Sequence, residues 1–439
     1  MRIPLVMVAA LAAACSGGAP AGSPAPAPGG AIPASAPAAL ANGLRIAERF
    51  RVDAIADRRF SHAELWSALR APLQSPALRT REIGASILGR PIRAVTFGAG
   101  PTTVLLWSQM HGDESTATMS LADILRFLAE AEGDPLRERL GRELTVTFVP
   151  MLNPDGAELF QRENAVGIDV NRDGRRRVTP EAQALKRLRD TLAPQFGFNL
   201  HDQGARTRVG ERGLQAGIAL LAPAHDSTRG YDAVRSRARL VAATIAGILG
   251  SAIPGRVAKY DDSFNPRAFG DLMQQWGTST VLIESGALPG DPQKQRLRAL
   301  NVAAILGALD AIASGGYRSA DPGLYESLPF NTGGANDLLV VGGQVVLPGR
   351  PPLAADVAIN FDDAVARTGG RVREVGDLRA VVAIDTLDAS GLYLHPTGEA
   401  LTARGDARWL RIGSAASFDV RRGPDAASEL VRRIGSPDR

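Results

Sequence analysis

The sequence predicts an α/β protein: a mixed, mostly parallel sheet covered by helices on both faces, followed by a small C-terminal β domain. Three observations predict it. From about residue 41 to 315, short strand-like apolar runs alternate with longer stretches at helical spacing. Those runs are apolar throughout rather than at every second position, as strands buried on both faces are. Beyond about 320 the texture changes to short Val-rich runs separated by Gly, Pro and Asp.

In chain order, Met1-Arg2 supplies a minimal positive start and Ile3 to Ala14 is an apolar run of signal-peptide length, too short to span a bilayer as a mature helix. It closes with Leu11-Ala12-Ala13-Ala14-Cys15, which resembles the lipobox of bacterial lipoproteins, with the preferred Leu one place early. The resemblance implies cleavage before Cys15, acylation of that cysteine and attachment to a membrane. An ordinary signal peptide cut at an Ala-x-Ala site is the alternative. Ser16 lacks the acidic residue tied to inner-membrane retention, so the expected place is the cell envelope, facing the periplasm, with the outer membrane favoured. Residues 16–40, almost all Ala, Pro, Gly and Ser, read as a flexible tether. The expected organisation is a signal peptide over 1–14, a lipidated tether over 15–40, a catalytic domain over 41–318 and a β-rich module over 319–439.

Within the third segment the strand runs are Thr102–Trp107, Leu144–Val149, Phe196–Leu200 and Thr280–Ile283, and helical spacing covers Ser115–Leu128, Pro180–Leu192 and Tyr231–Leu249. In the last segment Asn331-Thr332-Gly333-Gly334 precedes a β run from Leu338 to Leu347, and a final helix is expected near Ala426 to Arg433. Among 439 residues, 45% are hydrophobic and 22% charged, a globular composition large enough for two domains. Fifty basic against 46 acidic side chains leave a net +4, which gives no footing for nucleic-acid binding. Cys15 is the sole cysteine, so no intramolecular disulfide forms. The oligomeric state is not legible.

The residues just past each strand carry the chemistry. The first run leads into His111-Gly112-Asp113-Glu114, the second into Asn153-Pro154-Asp155-Gly156, the third into His201 and the fourth into Glu284. Ligands of open α/β sheets bind at the carboxyl ends of strands, so four such ends describe one site. His111 and Glu114, three apart after a strand, can turn an imidazole and a carboxylate toward one point, with His201 as a third ligand of a zinc site that keeps a position for water. A lone His-x-x-Glu is weak evidence, and core or surface histidine is its alternative; His62, His225 and His395 lack comparable company. Glu284 ends an apolar run where an ionised carboxylate needs a partner or a role. It would be a general base beside a metal-activated water, or would pair with one of the many arginines. Arg162, Asn171 and Arg172 offer a fork and an amide suited to a carboxylate or an oxyanion. Asn153-Pro154-Asp155-Gly156 reads otherwise as a turn.

Taken together, His111-Gly-Asp-Glu114, Asn153-Pro-Asp-Gly156, the run from Arg162 to Asn171-Arg172, Leu200-His201-Asp202 and Leu282-Ile283-Glu284-Ser-Gly resemble the zinc metallocarboxypeptidases of the carboxypeptidase A type, in the family's order. The resemblance implies one zinc ion per chain on His111, Glu114 and His201, with Glu284 as base. It implies that Arg162 stabilises the oxyanion and that Asn171 and Arg172 hold the terminal carboxylate of a peptide or cell-wall peptide. The family usually continues Asn-Arg-Asn-Phe, whereas here Arg172 precedes Asp173-Gly174. Tyr260 stands near the place of a substrate-covering tyrosine, though Asp261 to Pro266 align poorly with the family's pattern. The pocket for the terminal side chain is expected between Asn265 and Asp271, where Arg267, Phe269 and Asp271 point to no single class. The competing readings are a zinc deacylase of N-acyl amino acids, like aspartoacylase and succinylglutamate desuccinylase, and a non-catalytic binding lipoprotein.

Overall fold

A computed structural model describes residues 35–211 and 213–435. The expected signal peptide, Cys15 and the tether up to residue 34 lie outside them. The larger body is built on an eight-stranded sheet. Its strands are β1 (Leu78–Ala85), β2 (Pro91–Phe97), β3 (Thr102–Ser108), β4 (Leu144–Val149), β5 (Phe196–Asp202), β7 (Ile218–Leu221), β8 (Val257–Lys259) and β9 (Ser279–Ser285), while β6 (Arg208–Val209) lies outside it. The order is β1-β2-β4-β3-β5-β9-β7-β8. The four central strands β4, β3, β5 and β9 run parallel, and β1, β2 and the β7–β9 pairing are antiparallel. One core packs a face of the sheet against the helices Thr116–Glu130, Ala233–Gly250 and Gln295–Ser314, and a second packs the other face against Pro180–Leu192 and Phe269–Gln275. The expected mixed sheet with helices on both faces is therefore present.

The strand order turns between β3 and β5: the chain leaves β3 to pair β4 on one side, then returns to pair β5 on the other. Such a point opens a crevice beyond the strand ends, since the connecting segments depart to opposite sides. His111 follows β3 and His201 sits on β5 at this crevice.

Two boundaries differ from those expected. In place of a tether running to residue 40, a helix already covers Ala36–Arg49, burying Ala36, Gly43, Ile46 and Ala47. The cause is contact: Gly43 approaches the helix Gln295–Ser314 so closely that a β-carbon there would lie 2.4 Å from the Ala303 Cα. That partner passes for a membrane span on length and apolarity, yet 67% of its apolar window is buried in the body. The expected break at 318 also falls too early. Tyr325 is fully buried in the main core, and its hydroxyl accepts from the Ala222 N–H at 3.1 Å. Strand β10 (Asn331–Thr332) still pairs with β6.

The β module comes next. One sheet joins β11 (Asn336–Val341), β14 (Asp356–Asp363), β15 (Thr368–Gly376) and β16 (Ala383–Asp388), and another joins β12 (Gln344–Val345), β13 (Leu353–Ala354), β17 (Tyr393–Pro396), β20 (Phe418–Arg421) and β21 (Leu430–Ile434). A two-stranded ribbon, β18 (Leu401–Arg404) with β19 (Ala407–Leu410), lies between β17 and β20 in sequence. A shared core between the sheets includes Val340, Ile359, Leu394, Phe418 and Ile434. The helix expected near 426–433 is instead strand β21, paired antiparallel to β20. Ladder pairing along a neighbour overrides the weak local preference of this stretch.

One buried ion pair fixes the N-terminal segment to the body. Arg298 and Asp123, 2% and 1% exposed, meet through two bonds of 2.6 and 2.7 Å. Arg298 also donates to the Val52 and Ile55 carbonyls, and Asp123 accepts from the Val52 N–H. Removing one member strands a buried charge, so Asp123→Ala is expected to lower unfolding stability by about 3–5 kcal/mol. A denaturant titration with the slope held fixed checks it.

Candidate active site

Three strand ends and two loops converge on one cleft. After β3 the backbone turns through Gln109, whose φ of 50° is left-handed and whose side-chain amide donates to the Gly112 carbonyl at 2.9 Å. Gly112 then presses against the Asn153-Pro-Asp-Gly segment, where a β-carbon on Gly112 would lie 2.0 Å from the Gly156 carbonyl carbon. Only glycine permits that approach. The segment is more than a turn. Asn153 caps the helix Pro154–Leu159, and buried Asp155 holds Arg90 at 2.7 Å and the Ser86 hydroxyl at 2.8 Å.

This framing brings His111, Glu114 and His201 together, all buried, with one donor atom each within 4.8 Å of the others. Glu114 bridges the two imidazoles, its Oε1 2.7 Å from His111 Nδ1 and its Oε2 2.6 Å from His201 Nδ1. The two Nδ1 atoms face each other at 3.2 Å. Burial works to raise the Glu114 carboxyl, but the two imidazoles outweigh it and hold the group well below the ordinary carboxylate range. Burial also works to lower His111, yet Glu114 and Asp169 together lift it to about 9. His201, with one carboxylate against full burial, moves down. A metal ion held by His111, Glu114 and His201 would compete with protons for the same imidazole nitrogens. The donor set of two imidazoles and a carboxylate fits the three-ligand complement of a catalytic zinc site.

Asp169 lies inside the run from Arg162 to Asn171-Arg172, where the sequence assigns it no role. It accepts from His111 Nε2 at 3.0 Å, from Arg162 at 2.8 and 3.0 Å and from the Asn171 N–H at 2.8 Å. It therefore orients a metal-facing imidazole, a cation and the following turn at once. The signal available is its place two residues before Asn171, as an acid between Ile168 and Val170. Arg162 also reaches Glu114 Oε1 at 3.4 Å. Asn171 spends its Oδ1 on the Phe269 N–H at 2.9 Å, which leaves its NH2 as donor, and Arg172 joins it in the cleft wall.

Glu284 is in parallel register with His201 across β5 and β9. It is 8% exposed, lines the cleft, and has no ion pair among the described residues. Burial and then the Glu114 charge push its carboxyl well up. Tyr260 stands in the same wall; Glu284 first, and burial second, push its phenol to about 12. All of His111, Glu114, Arg162, Asn171, Arg172, Tyr260 and Glu284 thus line one cavity of about 550 Å³, with His201 beneath.

Of the three residues offered for the terminal side chain, one lines the cavity. Phe269 is fully buried in the second core and Arg267 points its guanidinium at the Arg172 carbonyl. Asp271 faces the cleft with Gly270 and Asn199, and burial raises its carboxyl to about 6. The Asn199 Oδ1 there is buried without a partner among the described residues.

Residues 67–205 match the zinc carboxypeptidase family model Peptidase_M14. The matched stretch contains His111, Glu114, Arg162, Asn171, Arg172 and His201 and ends before Tyr260, Asp271 and Glu284. Carboxypeptidase D of Mus musculus is 31% identical over 157 residues, which cover 26% of this chain and 11% of that protein. The chain thus matches about a tenth of that relative's length. Among solved structures, a metallo-carboxypeptidase from Burkholderia cenocepacia is similar at 21% identity and a TM-score of 0.46, over 58% of this chain and 70% of that one. Bovine thrombin-activatable fibrinolysis inhibitor is similar at 12% identity and a TM-score of 0.49, over 59% of this chain and 98% of that one.

Proposed function

We propose that this chain, whose residues 67–205 match the Peptidase_M14 zinc carboxypeptidase model, removes single residues from the C-terminus of peptides, with preference for a basic terminal residue. The observation that supports this most is what one cavity collects beside the metal triad: the Glu284 carboxylate, the Asn171 and Arg172 side chains, and the Asp271 acid. Zinc bound at His111, Glu114 and His201 would acidify a water and polarise the scissile carbonyl.

The chain's own residues do the rest. Asn171 and Arg172 grip the terminal carboxylate, which sets the last amide bond over the triad. Glu284 takes the proton of the attacking water and passes it to the leaving amine. Arg162, held by Asp169, donates to the oxygen that gains charge. Tyr260 covers the bound end. Asp271, with the Asn199 Oδ1 that has no partner among the described residues, accepts from the cationic head of a terminal Lys or Arg. The Asn153-Pro-Asp-Gly156 segment and the run that starts at Arg162 favour this reading over the N-acyl amino acid deacylase. Attachment to the cell envelope through Cys15 belongs to the same proposal and rests on the N-terminal sequence alone.

The test is a peptide ending in Lys, offered as free acid and as amide, with products read by mass spectrometry. Loss of one residue from the acid is expected, suppressed by chelator and restored by zinc, with at least a tenfold lower rate on the amide. Equal cleavage of both would contradict the clamp. Internal cleavage, or turnover only of N-acyl amino acids, would overturn the carboxypeptidase reading.

A further inference from the structure

A second chamber of about 550 Å³ adjoins the metal site at Glu114 and Arg162. It shares Glu114, Arg162, Asp202, Gln203 and Gly204 with the first cavity but contains neither Asn171 nor Arg172. If the terminal carboxylate sits on that pair, as the proposed function has it, the chain before the scissile bond leaves through this chamber. Part of its wall belongs to the β module: the turn between β14 and β15 lines it from Asp362 to Val365.

That turn is fastened from three directions. Asp363 takes the guanidinium of Arg58 and, at 3.2 Å, that of Arg59. It also accepts from the Val365 and Ala366 N–H groups, which closes the turn on itself. Arg206, five residues past His201, reaches Asp337 at 2.9 Å and the Phe361 carbonyl. The linker joins in, for the Asn331 amide donates to Gln203 Oε1 at 2.8 Å.

The last bond leaves an orphan. Gln203 is 9% exposed, and its Nε2 is buried with no partner among the described residues. Asp202 Oδ1 beside it is in the same condition, because Thr116 and Lys294 both bind the other oxygen. A buried donor and a buried acceptor left open each carry a desolvation cost unless something pairs with them. A peptide main chain offers both complements. The chamber's charged lining is balanced, five basic side chains against five acidic, so it sorts by main-chain shape rather than by net charge.

We infer that the β module completes an upstream subsite of the cleft, which holds the main chain of an extended peptide before the scissile bond, with Gln203 Nε2 donating to a peptide carbonyl. Asp363 and Asp337 are positioning residues: they hold the wall and the loop after His201 in place. The ligand class is a peptide at least two residues longer than the minimal dipeptide, whatever its charge.

The full chain, loaded with zinc, is assayed on N-acetylated peptides of two and four residues ending in the same two. The ratio of kcat/KM, long over short, is the readout. Gln203→Leu is expected to cut that ratio about fivefold, the size of one hydrogen bond, through KM for the long peptide. Asp363→Ala should do the same, and Asp363→Glu should restore part of it. A ratio that stays at the wild-type value, whether both rates fall together or neither changes, overturns the subsite. Should Asp363→Ala fail to fold, Gln203→Leu leaves both aspartate anchors intact and decides alone. If the wild type cleaves neither peptide, the carboxypeptidase reading fails instead. The subsite is then judged by fluorescence anisotropy of the same peptides, labelled: tighter binding of the longer one, lost in Gln203→Leu, sustains it, and length-independent binding ends it.

Discussion

Glu284→Gln is expected to lower kcat by about 10³–10⁴-fold with zinc content unchanged. The substitution keeps the shape of the side chain and removes its ability to take a proton. The metal-facing atoms do not include that carboxylate: they belong to His111, Glu114 and His201. Burial raises its carboxyl, which makes the ionised form a stronger base. Single-turnover rates with metal analysis of the same sample check the prediction. Robust turnover in the variant would remove Glu284 from the mechanism, and loss of zinc would show a structural role instead.

Asp271→Asn is expected to lower kcat/KM on peptides ending in Lys or Arg by about 10²-fold or more. Truncating one partner of a buried charge pair leaves the other charge unpaired at a cost of about 2–5 kcal/mol. Peptides with neutral ends should lose far less, so the ratio between the two classes is the measurement. In the free protein burial raises Asp271 to about 6. Its neutral form therefore stabilises the fold below the ordinary carboxyl range, and that contribution is lost as pH rises through about 6. Above that pH the carboxylate is charged and attracts a cationic side chain. Preference for basic ends should accordingly fade as pH falls through 6, and a preference independent of pH would exclude Asp271 as its source.

Much of this was legible in the sequence because the reactive residues stand at the ends of strands that announce themselves. Thr102–Trp107, Leu144–Val149, Phe196–Leu200 and Thr280–Ile283 are apolar runs, and the observed strands extend them by at most two residues at either end. His111, His201 and Glu284 each come after such a run, so position along the chain translates into position in space. Asp169 was hidden for the opposite reason. It lies in a loop where an acid is unremarkable, and its role depends on three partners that only folding assembles. Gln203 and Asp363 are further from view still, since their meaning arises between two parts of the chain about 160 positions apart. The strand at the C-terminal end, where a helix is expected, has the same origin: Leu430–Ile434 becomes a strand through its pairing with β20, which local spacing does not encode.

The parallel register of β5 and β9 sets His201 beside Glu284. Strand register moves in whole residues, and a slip of one turns every side chain to the opposite face. The reaction centre is therefore digital: it is aligned or it is absent, with no graded version for drift to explore. The surfaces that would choose the substrate, the 261–268 loop, the segment after His201 and the β14–β15 turn, are bound by no such rule and can change by small steps. A chain built this way can change what it trims while the cut itself stays the same.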